Sequence, residues 1–248
     1  GLAVGGKIKL LRTGSVRVHH DNEPEWARAR AWCLRVRPET KDLCVGMEDG
    51  SVLQRARYGR KQPRPAAYKL SKGRGPVEVG VGRGVTDVAF SAFPVHVPEE
   101  GTLLVLAGRH DGSVSLYAAG RSAPLVTWGA FAEGAVLKVL WSKSRPAVFF
   151  VLDSGSRLHF FNLLQDTNGP VHVESVKEHQ IVDVDALDAV PLGKGQRSTL
   201  VVGFASGHVQ VHVLQSKFAD PVSDEEGALE KLLEGLTGEA SKRPARAA

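Results

Sequence analysis

Cysteine is scarce. Cys33 and Cys44 are the two in 248 residues, eleven apart in stretches that read as strands. They are expected as buried free thiols, since nothing nearby completes a ligand set for a disulfide framework or a zinc site. That usage suits a reducing compartment such as the cytosol. No run of about 18 apolar residues exists, so no transmembrane helix is predicted. No signal peptide opens the chain. Aromatic residues are 6% of the total.

Catalytic motifs are missing as well. Gly80-Val81-Gly82-Arg83-Gly84 has the glycines of a phosphate loop but not the Gly-Lys-Ser/Thr ending, and a strand follows where a helix should begin. It reads as an insertion loop. Gly-x-Ser-x-Gly does not occur, so a hydrolase elbow is not supported. His208 and His212 are four apart, but on a strand the rise spreads them over roughly 13 Å, too far for one zinc. His19-His20 beside Asp21, Glu23 and Glu25 reads as solvated surface. No catalytic residue, metal or cofactor is predicted.

What the chain does have is a repeated phrase: Gly, two residues, Asp or Ser, Gly, then alternating apolar positions. It occurs at Gly46–Val52, at Gly108–Leu116 and at Gly203–Val211, with a looser copy at Leu152–Leu158. An apolar run precedes each copy, as in Leu103-Leu104-Val105-Leu106-Ala107, and period-2 alternation follows most of them, as in Val209-Gln210-Val211-His212-Val213. Alternation marks a half-buried strand. Glycine reaches positive φ without steric cost, so the phrase is a hairpin turn.

A further strand precedes each hairpin, at 31–36, 85–90, 136–141 and 181–187. The turn glycines, taken as Gly50, Gly112, Gly155 and Gly207, lie 62, 43 and 52 residues apart. Four-stranded propeller blades recur at roughly 40–50 residues, and longer gaps hold insertions. A β-sandwich has no reason to repeat one turn phrase four times. The fold class is therefore all-β: a WD40-type β-propeller, partial, with about four blades and a remnant at 7–11. The propeller is assigned to residues 1–215. An open ring leaves sticky sheet edges, so the rest is expected upstream or on another polypeptide.

Residues 216–248 change character. Ser223 and Glu226 have capping-box spacing, and Leu229, Leu232, Leu233 and Leu236 form one helical stripe. A short amphipathic helix is predicted, with Gly235 and Gly238 as stops and a basic tail after it. The stripe is a candidate to dock on the chain's own propeller or on a partner. Tryptophans 32 and 141 and Phe149, Phe150, Phe160 and Phe161 read as core. Trp26 and Trp128 read as packing on a blade flank, with an exposed anchor for a partner as the other reading.

The net charge is +5, unevenly spread, with 17 basic against 7 acidic residues in 1–76. Arg55, Arg57, Arg60, Lys61 and Arg64 form the densest basic stretch, in a proline-containing loop with Lys69, Lys72 and Arg74. They are candidate contacts for an acidic protein surface. Nucleic acid is a weaker match, because only Tyr58 and Tyr68 interleave with them.

Residues 136–170 carry something more specific. Val139-Leu140-Trp141-Ser142-Lys143-Ser144-Arg145-Pro146-Ala147-Val148-Phe149 resembles the W-S-P-x-R/H-P-A-x-F strand of dynein intermediate chains. Ser156-Arg157-Leu158-His159-Phe160-Phe161-Asn162-Leu163-Leu164 is similar to that family's G-x-L-x-I-W-D-L-L, with Phe161-Asn162 where Trp-Asp is frequent and Lys143 where proline is usual. Val45-Gly46-Met47-Glu48-Asp49-Gly50 resembles its V-G-x-E-x-G blade. Leu164-Gln165-Asp166 and Gly169-Pro170-Val171 point within the family to dynein 2, the motor of retrograde intraflagellar transport. Axonemal inner-arm intermediate chains share much of the pattern.

The resemblance implies a non-catalytic motor subunit whose propeller grips the tail of a dynein heavy chain. It implies other intermediate chains and light chains as partners, no membrane, and a place in the cytoplasm, cytoskeleton and cilium. A general WD-repeat scaffold for protein or RNA is the alternative.

Overall fold

The computed structural model describes residues 30–37, 41–56, 67–69, 83–95, 103–129, 131–175, 180–192 and 195–242. The expected remnant at 7–11 and Trp26 lie outside them. Sheet 1 comprises β1 (Ala31–Val36), β2 (Leu43–Met47), β3 (Val52–Arg55) and β4 (Ala67–Tyr68). Sheet 2 comprises β5 (Val85–Phe90), β6 (Leu104–Arg109), β7 (Val114–Ala118) and β8 (Val126–Trp128). Sheet 3 comprises β9 (Val136–Trp141), β10 (Val148–Asp153), β11 (Arg157–Asn162) and β12 (His172–Ser175). Sheet 4 has β13 (Ile181–Leu192), β14 (Gly195–Phe204) and β15 (Val209–Val213). Helices α1 (Ser216–Ala219) and α2 (Glu225–Lys242) follow.

Every sheet is an antiparallel meander in chain order. The first strands lie side by side in succession, β1 on β5, β5 on β9 and β9 on β13, so the sheets radiate from a shared inner row. Among the described residues there are four blades of a WD40-type propeller, and the ring these form is open. The proline-containing stretch after Arg55 leads into β4, the outer strand of sheet 1.

The turn phrase folds as its glycines require. Met47, Arg109 and Phe204 donate their amides to the residue four on, each at 2.9 Å, and Gly50, Gly112 and Gly207 donate back to them at 2.9–3.2 Å. These glycines sit at φ 85°, 79° and 84°. The third turn corrects one expectation. Leu152 pairs with Leu158 as Gly46 pairs with Val52, so the residue equivalent to Gly50 is Ser156, not Gly155. Ser156 takes the left-handed conformation at φ 60° and its amide bonds Asp153 at 3.2 Å. Its hydroxyl accepts the Ile181 amide at 3.1 Å, which gives a side chain a reason to be there.

Apolar faces fill the spaces between sheets. Sheets 1 and 2 meet around Val52, Tyr68, Val85, Val88 and Tyr117. Sheets 2 and 3 meet around Leu106, Leu116, Trp128, Phe149 and Phe161, with the last two rings stacked 4.5 Å apart. Trp128 therefore belongs to the core. Sheets 3 and 4 meet around Phe150, Phe160, Ile181 and Val202, joined by Phe218 of α1.

Helix α2 does not stay on sheet 4. Leu229 and Leu233 are wholly buried in the core between sheets 2 and 3, with Leu232 and Leu236 packed beside them. Its start and end differ from the sequence reading. It begins at Glu225, after Asp224 at φ 59°, whose carbonyl accepts the Ala228 amide at 3.0 Å. It runs on through Gly235 and Gly238. A glycine costs a helix interior about 1 kcal/mol, which the leucine packing can offset.

Candidate partner-binding surfaces

Three polar devices hold the sheets rigid, and a rigid frame is what a binding surface needs. The first lies on the inner row. Asp87, on β5, is almost fully buried; Arg35 of sheet 1 pairs with Oδ1, and the amide of Val139 in sheet 3 donates to Oδ2 at 3.0 Å. One carboxylate thus joins three sheets. Burial pushes its pKa up from the ordinary value, and the Val139 amide and Arg35 pull the other way. Lys138 of sheet 3 pairs with Asp183 Oδ1 of sheet 4 at 2.6 Å, which carries the same pattern one step on.

The second device sits under the turns. Arg109 is wholly buried; Nε donates to the carbonyl of Gly50 in sheet 1 at 3.3 Å. Its other nitrogens donate to Ser115 Oγ and Tyr117 Oη, both at 2.8 Å. The equivalent residue in sheet 3 is Asp153, whose Oδ2 meets His159 Nε2 at 2.9 Å and accepts the Glu133 amide at 3.1 Å. The third device fixes the helices. Arg145 Nε pairs with Glu225 Oε2 at 2.6 Å, both side chains buried, and Arg145 Nη1 donates to the Lys217 carbonyl at 2.6 Å. The Glu225 carboxylate is thereby drawn into the core instead of serving the helix end.

The uncovered surface is apolar at both ends of the array. On sheet 1 the face turned away from sheet 2 exposes Leu34 and Val36. Trp32 is expected in the core; it is instead 41% exposed, its ring edge-on to that of His110 at 5.7 Å and against Gly84, which precedes β5 of sheet 2. Trp32, Leu34, Leu43 and Arg55 are among the residues lining a recess of about 370 Å³ on this sheet. On sheet 4 the outward face exposes Val209 at 66%, Val211 at 62% and Val213 at 44%.

Of the residues singled out in the sequence, Arg55 lies at the end of β3 on this sheet 1 face, its Nη1 donating to the Gln54 carbonyl at 2.9 Å. Arg57, Arg60, Lys61 and Arg64 lie outside the described residues. Leu229, Leu232 and Leu233 are brought together on α2 and are engaged with the chain's own core. Trp32, Val209, Val211 and Val213 are the surface residues that pattern reasoning missed. An alternating strand looks the same whether or not a neighbour covers it.

Both cysteines are free thiols, with Cys44 buried and Cys33 half-buried. Burial pushes Cys33 up to about 11 and Cys44 to about 12, so neither is a nucleophile near neutral pH. Among the described residues no group of three or more His, Cys, Asp and Glu could hold a metal ion. No described helix is long and apolar enough to cross a membrane.

No family model matches the chain. It is 29% identical over 244 residues to cytoplasmic dynein 2 intermediate chain 1 of Homo sapiens, covering 94% of this chain and 21% of that protein. The resemblance is to dynein intermediate chains. The Mus musculus protein of the same name is 30% identical over 243 residues, at 94% of this chain and 23% of its own length. Cytoplasmic dynein 1 intermediate chain of Drosophila melanogaster is 25% identical over 187 residues, 75% of this chain and 25% of that one. The chain spans about a fifth of the length of the dynein 2 relatives.

Solved structures give the fold. Saccharomyces cerevisiae Sqt1 matches with a TM-score of 0.54 at 16% identity, covering 75% of this chain and 47% of that one. A chain of the mitotic checkpoint complex matches at 0.50 and 17%, covering 76% and 49%. Both neighbours are WD40 propeller proteins, and the likeness agrees with the radial sheets described above.

Proposed function

We propose that the chain is the propeller part of a dynein intermediate chain, a non-catalytic subunit that holds the tail of a dynein heavy chain for intraflagellar transport along microtubules. The observation that carries this reading is the similarity to dynein 2 intermediate chains over 94% of the chain. The physics is compatible with it. Asp87, Arg109 and Arg145 lock neighbouring elements together, which makes a stiff disc with loops on two faces. A stiff surface binds without a large ordering cost. The working place is the cytoplasm, the cytoskeleton and the cilium. Other intermediate chains and light chains are the further partners of this reading.

Affinity purification of the tagged protein from ciliated cells tests it. A dynein heavy chain is expected to co-purify through a wash at physiological ionic strength. Recovery of ribosomal or chromatin components without a heavy chain would reject the reading in favour of another WD-repeat adaptor.

A further inference from the structure

We propose that Asn168, in the loop between β11 and β12, converts on its own to isoaspartate and aspartate, and that the isoaspartyl chain is a substrate for a repair methyltransferase using S-adenosylmethionine. The fold selects this residue by leaving the attacking nitrogen unengaged.

The reaction closes a ring within the chain. The backbone nitrogen of Gly169 bonds to Cγ of Asn168, the Cγ–Nδ2 bond breaks, and ammonia leaves with the amide proton. Water then opens the cyclic imide. Cleavage at the side-chain carbonyl gives aspartate. Cleavage at the main-chain carbonyl gives isoaspartate, whose backbone runs through the side-chain carbon. The free carboxylate of isoaspartate then takes a methyl group from the sulfonium of S-adenosylmethionine, and S-adenosylhomocysteine leaves. A side chain on the following residue would crowd the attacking nitrogen; glycine leaves it bare.

The sequence holds three pairs of Asp or Asn followed by Gly: Asp49-Gly50, Asp111-Gly112 and Asn168-Gly169. The first two are locked turns. The Gly50 and Gly112 amides donate to the Met47 and Arg109 carbonyls, both at 3.2 Å. Asp49 Oδ1 and Asp111 Oδ1 each accept the amide and the hydroxyl of the serine two residues on, at 2.6–3.0 Å. Both reacting groups are already occupied there.

Asn168 differs in each respect. It is exposed. Its Nδ2, the group that departs, makes one exposed hydrogen bond, to Asp166 Oδ1 at 3.2 Å. The Gly169 amide donates to no described residue. A Cβ on Gly169 would meet nothing within 4 Å, so no neighbour crowds the nitrogen. The change falls beside two ties of sheet 3. The Thr167 carbonyl accepts Trp128 Nε1 at 2.8 Å, and the Val171 amide donates to the Phe160 carbonyl at 2.8 Å just before β12.

The test incubates the full chain in neutral buffer and follows the Asn168 peptide by mass spectrometry. Isoaspartate is counted by methyl transfer from labelled S-adenosylmethionine with a repair methyltransferase. The peptide is expected to exchange its amide for a carboxyl, with isoaspartate exceeding aspartate. Gly169→Ala fits the open space and should melt within about 2 °C of the parent, yet slow the change at least tenfold. Asp111→Asn puts an asparagine before glycine in a locked turn. In the folded chain it should react at least tenfold more slowly than Asn168, and in urea at a similar rate. An unchanged Asn168 peptide, aspartate as the sole product, or an unaltered rate in Gly169→Ala would each overturn the proposal. Equal rates at the two asparagines in the folded chain would overturn the selection by the fold. None of these readouts depends on heavy-chain binding, so the two readings can fail separately.

Discussion

Gly108 and Val136 belong to different sheets and leave no room for a methyl group between them: a Cβ on the glycine would stand 2.5 Å from Val136 Cγ1. Glycine here is a packing residue, not a turn residue. Gly108→Ala is expected to lower stability by about 1–3 kcal/mol, the usual cost of overpacking. Gly203→Ala, with open space around it, should change stability by no more than about 0.5 kcal/mol in residues 1–248. Urea denaturation of the two variants side by side checks the difference. Equal losses would mean that the sheets can shift apart freely.

The turn glycines should rank by their surroundings. Gly207 has positive φ but nothing within 4 Å, so Gly207→Ala carries only the left-handed penalty of about 1–2 kcal/mol. Gly112 has positive φ and the Gly134 carbonyl 2.7 Å from its Cβ position. Gly112→Ala should cost more than Gly207→Ala, read as the larger drop in melting temperature.

Helix α2 should behave as part of the core. Leu233→Ala removes a wholly buried side chain and is expected to cost about 2–5 kcal/mol. Glu225→Ala strands the buried guanidinium of Arg145 and should cost about 3–5 kcal/mol. Replacing both partners, Arg145→Met with Glu225→Leu, should cost less than Glu225→Ala. Near-ultraviolet circular dichroism, sensitive to the Trp128 environment, would report the loosening. Unchanged melting for Leu233→Ala would place the helix outside the cooperative unit.

Asp87 predicts a pH dependence with a definite sign. Its carboxyl is raised by burial above the ordinary value of 3.8. The folded state therefore holds the proton more tightly than the unfolded state. The stability this contributes is fully present below 3.8 and is lost as pH rises through the raised folded value. Asp87→Asn cannot titrate and keeps an oxygen for the Val139 amide. The difference in unfolding free energy, wild type minus Asp87→Asn, should fall across that window and then level off. Urea midpoints measured for both proteins from acid to neutral pH check this; a rising difference would contradict it.

Much of the architecture was legible in the sequence because it repeats. The turn phrase, the apolar run before it and the alternation after it located the hairpins of all four sheets. The fourth strands were less visible: β4 has two residues and β8 three, too short for a period to register. The third turn misled by one residue, since Gly155 stands next to Ser156 and only the strand register distinguishes them. The leucine stripe of α2 was visible, but its seat between sheets 2 and 3 was not, because Arg145 and Glu225 are 80 residues apart. Trp32 looked like core for the same reason. Periodicity reports which residues share a face, not what lies opposite.

The path of α2 has a mechanical corollary. A helix that crosses back from sheet 4 to plug the cleft between sheets 2 and 3 works as a buckle. Trimming the polypeptide just after Asp220 should therefore slacken the middle of the array before its last sheet, and proteases should then find their first cuts far from the trimmed end.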